Sequence, residues 1–484
     1  MSETGTDGWA AAARQADEVV GRACVAAAIF EQLDQGQTDR IVAAVFRAAF
    51  AHRVRLAKLA AAETGMGVWE HKVLKNVLAS QLVYESIKDE QTCGVIAHDE
   101  SRGITEIAQP LGPIFGIIPV TNPTSTTIFK VLISLKTRNP IILSPSRKAA
   151  RCVAETARLC YEAALGAEAP EDCVQCLAEG SRDLTQAVMS HPRLGLILAT
   201  GGAGLVRSAY SSGTPAIGVG PGNVPVFIDA SADLPFAVES IICSKTFDNG
   251  TICASEQAIV VEQALEASVT AEFTRQQCYF LSAAEVARVA AVAVETPGGA
   301  MRAAIVGQPV ARIAELAGIH VPAGTRILLA RLHGVGPEHP LSGEVLAPIL
   351  AFYVEPDYEA ALKRCIDLNF LGGIGHTASI YANDTPRIQA FAAMMNAGRV
   401  VVNTPSSQGA VGAFFNTLLP SLTLGCGSGG KNITTENISA RHLINIKRVC
   451  RRRNNDEWQR FDKTLYYDES LDTAALQRAY HKNR

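Results

Sequence analysis

From Trp9 to about Glu63 the chain is Ala-rich, and Ile41, Val45 and Ala49 recur at four-residue intervals along one face, with Thr38 the expected N-cap. This spacing predicts a helical N-terminal part. After Leu111 the texture changes to short apolar runs bounded by Gly, Pro or Asn. They are Pro140 to Leu143, Leu194 to Thr200, Pro225 to Asp229, Gln257 to Val261, Arg326 to Ala330, Ile349 to Val354 and Arg399 to Asn403. Their alternation with Ala-rich helical segments predicts an α/β fold of crossover units and mostly parallel sheets, with helices on both faces. A Gly-containing turn between Ser240 and Cys253 ends one βα series and begins another, which places a domain boundary near residue 240. Beyond Lys431, HLINIKRV reads as a strand, followed by the basic RVCRRRNN and the polar helical end DESLDTAALQRAYHKNR. By pattern this tail fits an arm packed on another subunit and a solvated end equally well.

Composition narrows the class. At roughly 150 residues per domain, 484 residues make about two to four domains, each with its own core. With 48% hydrophobic and 19% charged residues, and Lys+Arg 44 against Asp+Glu 47, disorder and a basic nucleic-acid footprint are both disfavoured. The longest apolar stretch, Leu111 to Val120, is broken by Gly and Pro, whereas a membrane span needs about 20 apolar residues. Neither nucleic acid nor membrane is expected as a partner. MSETGTDGW lacks the basic start and apolar run of a secretory signal, and the twelve cysteines show no repeated spacing, so reduced thiols in the cytoplasm are expected. Cys173 and Cys176 form a lone CxxC, read as two incidental thiols, and no metal site is expected.

Three stretches stand out for chemistry. In SKTFDNGTICASEQAIVV, Cys253 lies between the turn Asp248, Asn249, Gly250 and a β-branched strand candidate. That placement suits a nucleophilic thiol with a free backbone N–H, and a buried small Cys fits it too. In IIPVTNPTSTTIFK, Asn122 precedes Pro123 at the end of an apolar strand, where its amide serves either an oxyanion or an ordinary turn. In LATGGAGLVRSAYSSG, a strand runs into Gly201, Gly202 and Gly204 before a helix. This is a pyrophosphate-facing turn or simply a tight βα connection, since the spacing is not GxGxxG.

Taken together, these stretches resemble the aldehyde dehydrogenase superfamily, and within it the coenzyme A-acylating branch, which includes the N-terminal half of bifunctional aldehyde-alcohol dehydrogenases. The likeness runs from about Asp39 to about Val449 through TGMG, KDEQTCGVIA, NPTSTTIFK, SLKTRNPIILSP, ILATGGAG, AYSSGTPAIGVG, KTFDNGTICASEQ, AAIVGQP, GGIGHT, PSLTLGCGS and HLINIK. The iron-dependent alcohol dehydrogenase half of the bifunctional enzymes does not follow. The resemblance implies an aldehyde dehydrogenase-like fold, with a Rossmann-like nucleotide-binding domain over residues 1–240 and an α/β catalytic domain over 241–430. A return tail over 431–484 and residues at about 100–110 would form a small oligomerisation arm.

Carried onto this chain, the resemblance makes Cys253 the nucleophile, and Asn122 with the Cys253 N–H the oxyanion site. His376, in GGIGHTAS, becomes a proton shuttle or a loop-holding residue. It assigns Ser144, Arg147, Thr200, Gly201, Gly202, Gly220 and Glu344 to the cofactor, with Glu344 on the nicotinamide ribose. Arg147 and Lys148 near the adenosine end leave both NAD and NADP open. Hydrolytic relatives carry a water-activating Glu in an ELGGK-like string; here the stretch is AIGVGPGN, with Gly218 or Val219 at that position. A thioester without such a base loses a factor of roughly 10² to 10⁴ toward water, so coenzyme A is the expected co-substrate.

The implied activity is reversible oxidation of a short aldehyde to acyl-CoA. In GCGSGGKN, Gly429 and Lys431 suggest acetaldehyde or an anionic 2-substituted acetaldehyde such as sulfoacetaldehyde. The family also implies a homo-oligomer, dimer or tetramer, in the cytoplasm or a bacterial microcompartment. Two alternatives are a hydrolytic aldehyde dehydrogenase and a non-catalytic scaffold or compartment-targeting protein, the latter resting on the amphipathic tail Ser470 to Arg484.

Overall fold

The computed structural model describes residues 3–178, 181–295 and 299–482; the two residues at each end of the chain, including the end of the expected tail, lie outside it. Helices Glu3–Phe30, Gln35–Ala51 and Arg53–Thr64 open the chain, as the apolar periodicity predicts. The second of these starts earlier than expected. Asp34 is its N-cap, in a capping box with Gln37, while Thr38 lies inside and turns its hydroxyl back onto the Asp34 carbonyl at 2.8 Å. A carboxylate at the cap takes the free N-terminal amide better than a threonine one turn later.

Fifteen strands follow among the described residues. β1 (Gly94–Asp99) and β2 (Ile104–Pro110) form a hairpin. Next come β3 (Ile114–Ile118), β4 (Ile141–Pro145), β5 (Val174–Cys176), β6 (Leu196–Thr200) and β7 (Ala216–Val219). These pair in parallel in the order β5-β4-β3-β6-β7. The chain winds outward from β3 through β4 to β5 and then returns to β6 on the other side. The order therefore reverses between β3 and β6, and the carboxyl ends of those strands are where an open α/β sheet offers a crevice.

A second parallel sheet contains β8 (Val224–Ile228), β9 (Glu256–Glu262), β10 (Cys278–Phe280), β11 (Ile327–Arg331), β12 (Ile349–Glu355), β13 (Gly375–Tyr381) and β14 (Ala397–Val402). Its order is β10-β11-β12-β9-β8-β13-β14. The expected boundary at residue 240 is therefore too late. β8 already pairs with β9 and β13, so the chain changes sheets in the short link between Val219 and Val224. The seven runs picked out by hydropathy all contain strands of these two sheets; what pattern alone missed are short or mixed strands such as β5, β7 and β10.

β15 (Ile444–Cys450) pairs antiparallel with β2, completing a three-stranded arm, β1-β2-β15. The tail does not begin at Lys431. Ile438, Ala440 and Leu443 are fully buried in the core of the first domain, so the chain returns there before it enters the arm. After the arm, helices Asp456–Arg460 and Thr473–His481 meet around Phe461, whose ring lies 5.5 Å from that of Tyr480. No helix among the described residues is long and apolar enough to cross a membrane.

The helix Pro123–Lys136 is buried at every position. Proline at its start suits the first turn, where an N–H would go unused, and its apolar side chains are worth about 1.5–3 kcal/mol each when fully buried. Asn139 just beyond it ties the arm to this core. Its Oδ1 accepts from the Leu111 N–H at 2.7 Å and the Gly112 N–H at 3.0 Å, and its Nδ2 donates to the Leu443 carbonyl at 2.8 Å. Asn139→Ala leaves all three groups without that partner, and is expected to lower the unfolding free energy by about 2–4 kcal/mol, read from the urea midpoint.

Candidate active site

The link between the sheets sets the site. The carboxyl ends of β3, β6 and β7 face the amino ends of β8, β9 and β13, and Cys253, Asn122 and His376 all lie at these ends. Asn122 ends the β3 loop as the N-cap residue of helix Pro123–Lys136, without capping it through its side chain. Cys253 follows a turn in which Asp248 and Asn249 adopt left-handed φ of 51° and 52° and Gly250 follows at 75°. The turn and the strand expected on either side of Cys253 are both present.

Side chains hold this turn in place. The buried Asp248 carboxylate accepts from the Val68 N–H at 2.7 Å, Lys72 Nζ at 2.9 Å and the Thr251 hydroxyl at 2.8 Å, and also from Lys75 Nζ. Its own N–H donates to His71 Nδ1 at 2.8 Å. Lys75 Nζ donates in addition to Asn122 Oδ1 at 2.6 Å and Thr251 Oγ1 at 2.9 Å. The Asn122 amide then points its Nδ2 toward the catalytic turn, 3.4 Å from the Thr251 carbonyl. Burial lowers Lys75 to about 8, opposed by Asp248.

Gly222 joins the other components. A Cβ there would stand 2.2 Å from the Cys253 carbonyl oxygen and 3.2 Å from His376 Nδ1, so only glycine lets the link pass between them. The Gly222 N–H donates to Glu344 Oε1 at 2.9 Å. Glu344 is raised to about 7 by burial, against the pull of Gly222 and Lys245, while burial lowers Lys245 to about 7. His376 is 1% exposed and lowered to about 3 by burial and by Arg399, so it is neutral at pH 7. Its Nδ1 pairs with Thr377 Oγ1 at 2.9 Å, and its Nε2 has no partner among the described residues.

The Cys253 N–H has no backbone acceptor among the described residues, which leaves it free for a ligand. Burial pushes the Cys253 thiol up to about 12, with Glu344 and Cys426 adding to the rise and Arg399 opposing it. Arg399 is itself buried and bonded only to neutral groups: the His376 carbonyl at 2.8 Å, the Gly425 carbonyl at 2.5 Å, the Thr435 carbonyl at 3.0 Å and the Thr377 hydroxyl at 3.4 Å. Reading by residue type missed Lys72, Lys75, Gly222 and Arg399. The one signal available was the pair of lysines three apart on helix Trp69–Val77, which share a face.

The residues assigned to a dinucleotide gather at the carboxyl edge of the first sheet. Ser144 is the penultimate residue of β4, Thr200 ends β6 and Gly220 follows β7. Gly201 and Gly202 lead into helix Ala203–Tyr210, where Gly202 is an N-cap without a side-chain bond. A Cβ on Gly202, Gly204 or Gly220 would meet nothing within 4 Å. Open glycines beside the uncapped N-terminus of a helix suit a pyrophosphate, so these residues fit the cofactor. Arg147 and Lys148 are exposed, and so is Lys431. Cys173 and Cys176 lie at β5, their thiols pushed up to about 12 by burial, and no group of three metal-ligating side chains occurs among the described residues.

Of the two positions the resemblance offers for a water-activating glutamate, Gly218 has no room for a side chain and Val219 is apolar and buried. A Cβ on Gly218 would fall 2.7 Å from Val206 and 3.0 Å from the Tyr210 hydroxyl, which bonds both the N–H and the carbonyl of Gly218. Val219 is 2% exposed.

The sequence pattern of the aldehyde dehydrogenase family matches residues 3–284. Similar proteins include the bifunctional aldehyde-alcohol dehydrogenase AdhE of Escherichia coli K12, 47% identical over 442 residues, which are 90% of this chain and 49% of that protein. The chain thus spans about half the length of the curated relatives it matches first. Among solved structures, an acetylating aldehyde dehydrogenase from Geobacillus thermoglucosidasius superposes with a TM-score of 0.89 at 46% identity, over 92% of this chain and 98% of that one. A propionaldehyde dehydrogenase from Rhodopseudomonas palustris, solved with bound CoA and an acylated cysteine, superposes with a TM-score of 0.81 at 25% identity, over 90% and 97% of the two chains.

With the thiol pushed up to about 12, the thiolate fraction rises with every increment of pH in the ordinary range. Iodoacetamide labelling of Cys253 in the unliganded protein, followed by mass spectrometry, is expected to climb about tenfold per pH unit from about pH 7 to 10. A plateau near pH 8 would instead show an already ionised thiol.

Proposed function

The chain belongs to the aldehyde dehydrogenase family, and on that premise we propose that it oxidises a short aldehyde reversibly to an acyl-coenzyme A thioester, with NAD or NADP as hydride acceptor. The Cys253 sulfur, its proton released to solvent, adds to the aldehyde carbonyl, giving a thiohemiacetal anion. Asn122 Nδ2 and the Cys253 N–H donate to the oxygen as its charge develops, the kind of preorganised donors worth roughly 10² to 10³ in rate each. A bound nicotinamide supplies the hydride acceptor. Glu344, already fixed by Gly222, orients the ribose, while Ser144, Arg147, Thr200, Gly201, Gly202 and Gly220 hold the rest of the dinucleotide. Loss of hydride from carbon leaves an acyl thioester on Cys253, and coenzyme A sulfur displaces it to give acyl-CoA and the free thiol. Neutral His376, through its unpartnered Nε2, relays the proton of the incoming thiol to the departing Cys253 sulfur, the stronger base of the two.

The carrying observation is the closed position at Gly218 and Val219. Water has no activating carboxylate there, so the thioester persists until a thiol arrives, and this disfavours the hydrolytic alternative. The CoA and acylated cysteine of the Rhodopseudomonas palustris protein support the same acceptor. Lys431, exposed in the loop that follows Cys426, is the cation on which we favour an anionic 2-substituted acetaldehyde such as sulfoacetaldehyde over acetaldehyde. The arm exposes Val95, Ile446 and Val449, and we take its outer surface as the contact that builds a dimer or tetramer. The cytoplasm, or a bacterial microcompartment, is the setting this chemistry fits.

NADH and NADPH formation with acetaldehyde, propionaldehyde and sulfoacetaldehyde, each with and without coenzyme A, tests the reading. Steady turnover is expected only with coenzyme A, and Cys253→Ala is expected to abolish it; free acid formed at an equal rate without coenzyme A would sink the proposal. His376→Ala is expected to keep the first NAD(P)H turnover in a stopped-flow burst and to slow the CoA-dependent phase by about 10- to 100-fold. Lys431→Ala should lower kcat/KM for sulfoacetaldehyde more than for acetaldehyde.

A further inference from the structure

Asp248, Lys72 and Lys75 are all but inaccessible, with side-chain exposures of 0%, 3% and 2%. One ammonium is enough to neutralise one carboxylate, yet two are present. The second leaves an excess positive charge in a place where an uncompensated ion costs several kcal/mol. The two lysines differ in what else they touch. Lys72 reaches the Thr121 carbonyl at 3.2 Å, whereas Lys75 reaches Asn122 Oδ1 at 2.6 Å and Thr251 Oγ1 at 2.9 Å. Cys253, once deprotonated, also favours the Lys75 ammonium.

An ammonium has three donors and no acceptor, so it can face only the oxygen of the Asn122 amide. That fixes which way the amide is turned. With Oδ1 held, Nδ2 is committed to the opposite side, where the Thr251 carbonyl at 3.4 Å and the Thr121 hydroxyl at 3.1 Å hold it only loosely. We infer that Lys75 is a positioning residue for the reaction: it clamps Asn122 with its N–H toward the oxyanion and sets beside it the positive charge that Asp248 leaves unused. The clamp also polarises the amide, because an oxygen that accepts from a cation makes the N–H a stronger donor. This inference rests on the reading above, in which Asn122 holds the oxyanion.

Lys72→Met and Lys75→Met remove the same charge from the same cluster, and each leaves Asp248 one ammonium, so both are expected to fold. Only the second releases Asn122. In NAD(P)H formation with saturating coenzyme A, Asn122→Ala is expected to lower kcat by about 10²- to 10³-fold. Lys75→Met is expected to lower kcat by about 10- to 100-fold with aldehyde KM changed less than about threefold, and Lys72→Met by at least about fivefold less than Lys75→Met. In the double variant Asn122→Ala/Lys75→Met, kcat should fall no more than about threefold below Asn122→Ala alone, since the clamp has lost what it holds. Equal losses in the two lysine variants, or losses that multiply in the double variant, would overturn the inference while leaving the reading intact. Wild-type kcat in Asn122→Ala would overturn the reading itself. Thermal melting checks the fold of each variant, and Lys75→Gln carries the same comparison if Lys75→Met does not fold.

Discussion

Asp248 sits at φ 51°, in a left-handed conformation that costs a non-glycine residue about 1–2 kcal/mol. Asn249 beside it bears the same strain. The turn persists because its carboxylate is bonded by a distant segment, through Val68, Lys72 and Lys75, and by Thr251 within the turn itself. Gly67 makes the approach feasible, since a Cβ there would lie 2.0 Å from Asp248 Oδ1. Everything reactive hangs from this junction. It sets the loop that carries Cys253, and through Lys75 it sets the amide of Asn122, so these two residues share one anchor although 131 residues apart in the chain.

Desolvation governs the rest of the cleft. A thiol raised to about 12 and an imidazole lowered to about 3 are both neutral at pH 7. Among the charges left, Arg399 has only neutral partners, and Lys75 exceeds what Asp248 requires. Close to the sulfur, Arg399 favours negative charge while Glu344 opposes it, and burial outweighs both. Donors fixed beforehand, the Asn122 amide among them, are what such a site can offer to charge that develops during addition.

The α/β class and the seven short apolar runs were legible because a parallel strand buried on both faces is hydrophobic without interruption. Cys253 and Asn122 were legible for a different reason: each stands at a break in such a run, and the resemblance gave each a role. Gly218 and Val219 were legible as an absence of carboxylate, though not as a closed position. Lys75 and Arg399 were not legible. A lysine in an amphipathic helix reads as solvated, and only the approach of residues 47 and 173 positions away turns Lys75 into a buried ligand of Asn122 and Asp248. The boundary near 240 failed similarly. β8 is as apolar as β7, and only its pairing with β9 and β13 shows that it has changed sheets. The N-cap at Asp34 was visible in principle as Asp with Gln three residues on, but Thr38 stood closer to the apolar stripe.

On the proposed reaction, the packing of the link between the sheets favours acyl transfer over hydrolysis. Where β7 ends, Tyr210 bonds both backbone groups of Gly218, and one turn of chain later Gly222 passes within contact of the Cys253 carbonyl and His376. A side chain at Gly218 would have to grow into space that Val206 and Tyr210 fill. Glu344, the carboxylate the thiol does feel, is drawn aside by the Gly222 N–H. The backbone that crosses so near Cys253 thus carries no carboxylate of its own from Gly218 to Asn223. Of the nucleophiles able to reach a thioester so placed, one that arrives with low pKa and high intrinsic reactivity, a thiol, needs that base least.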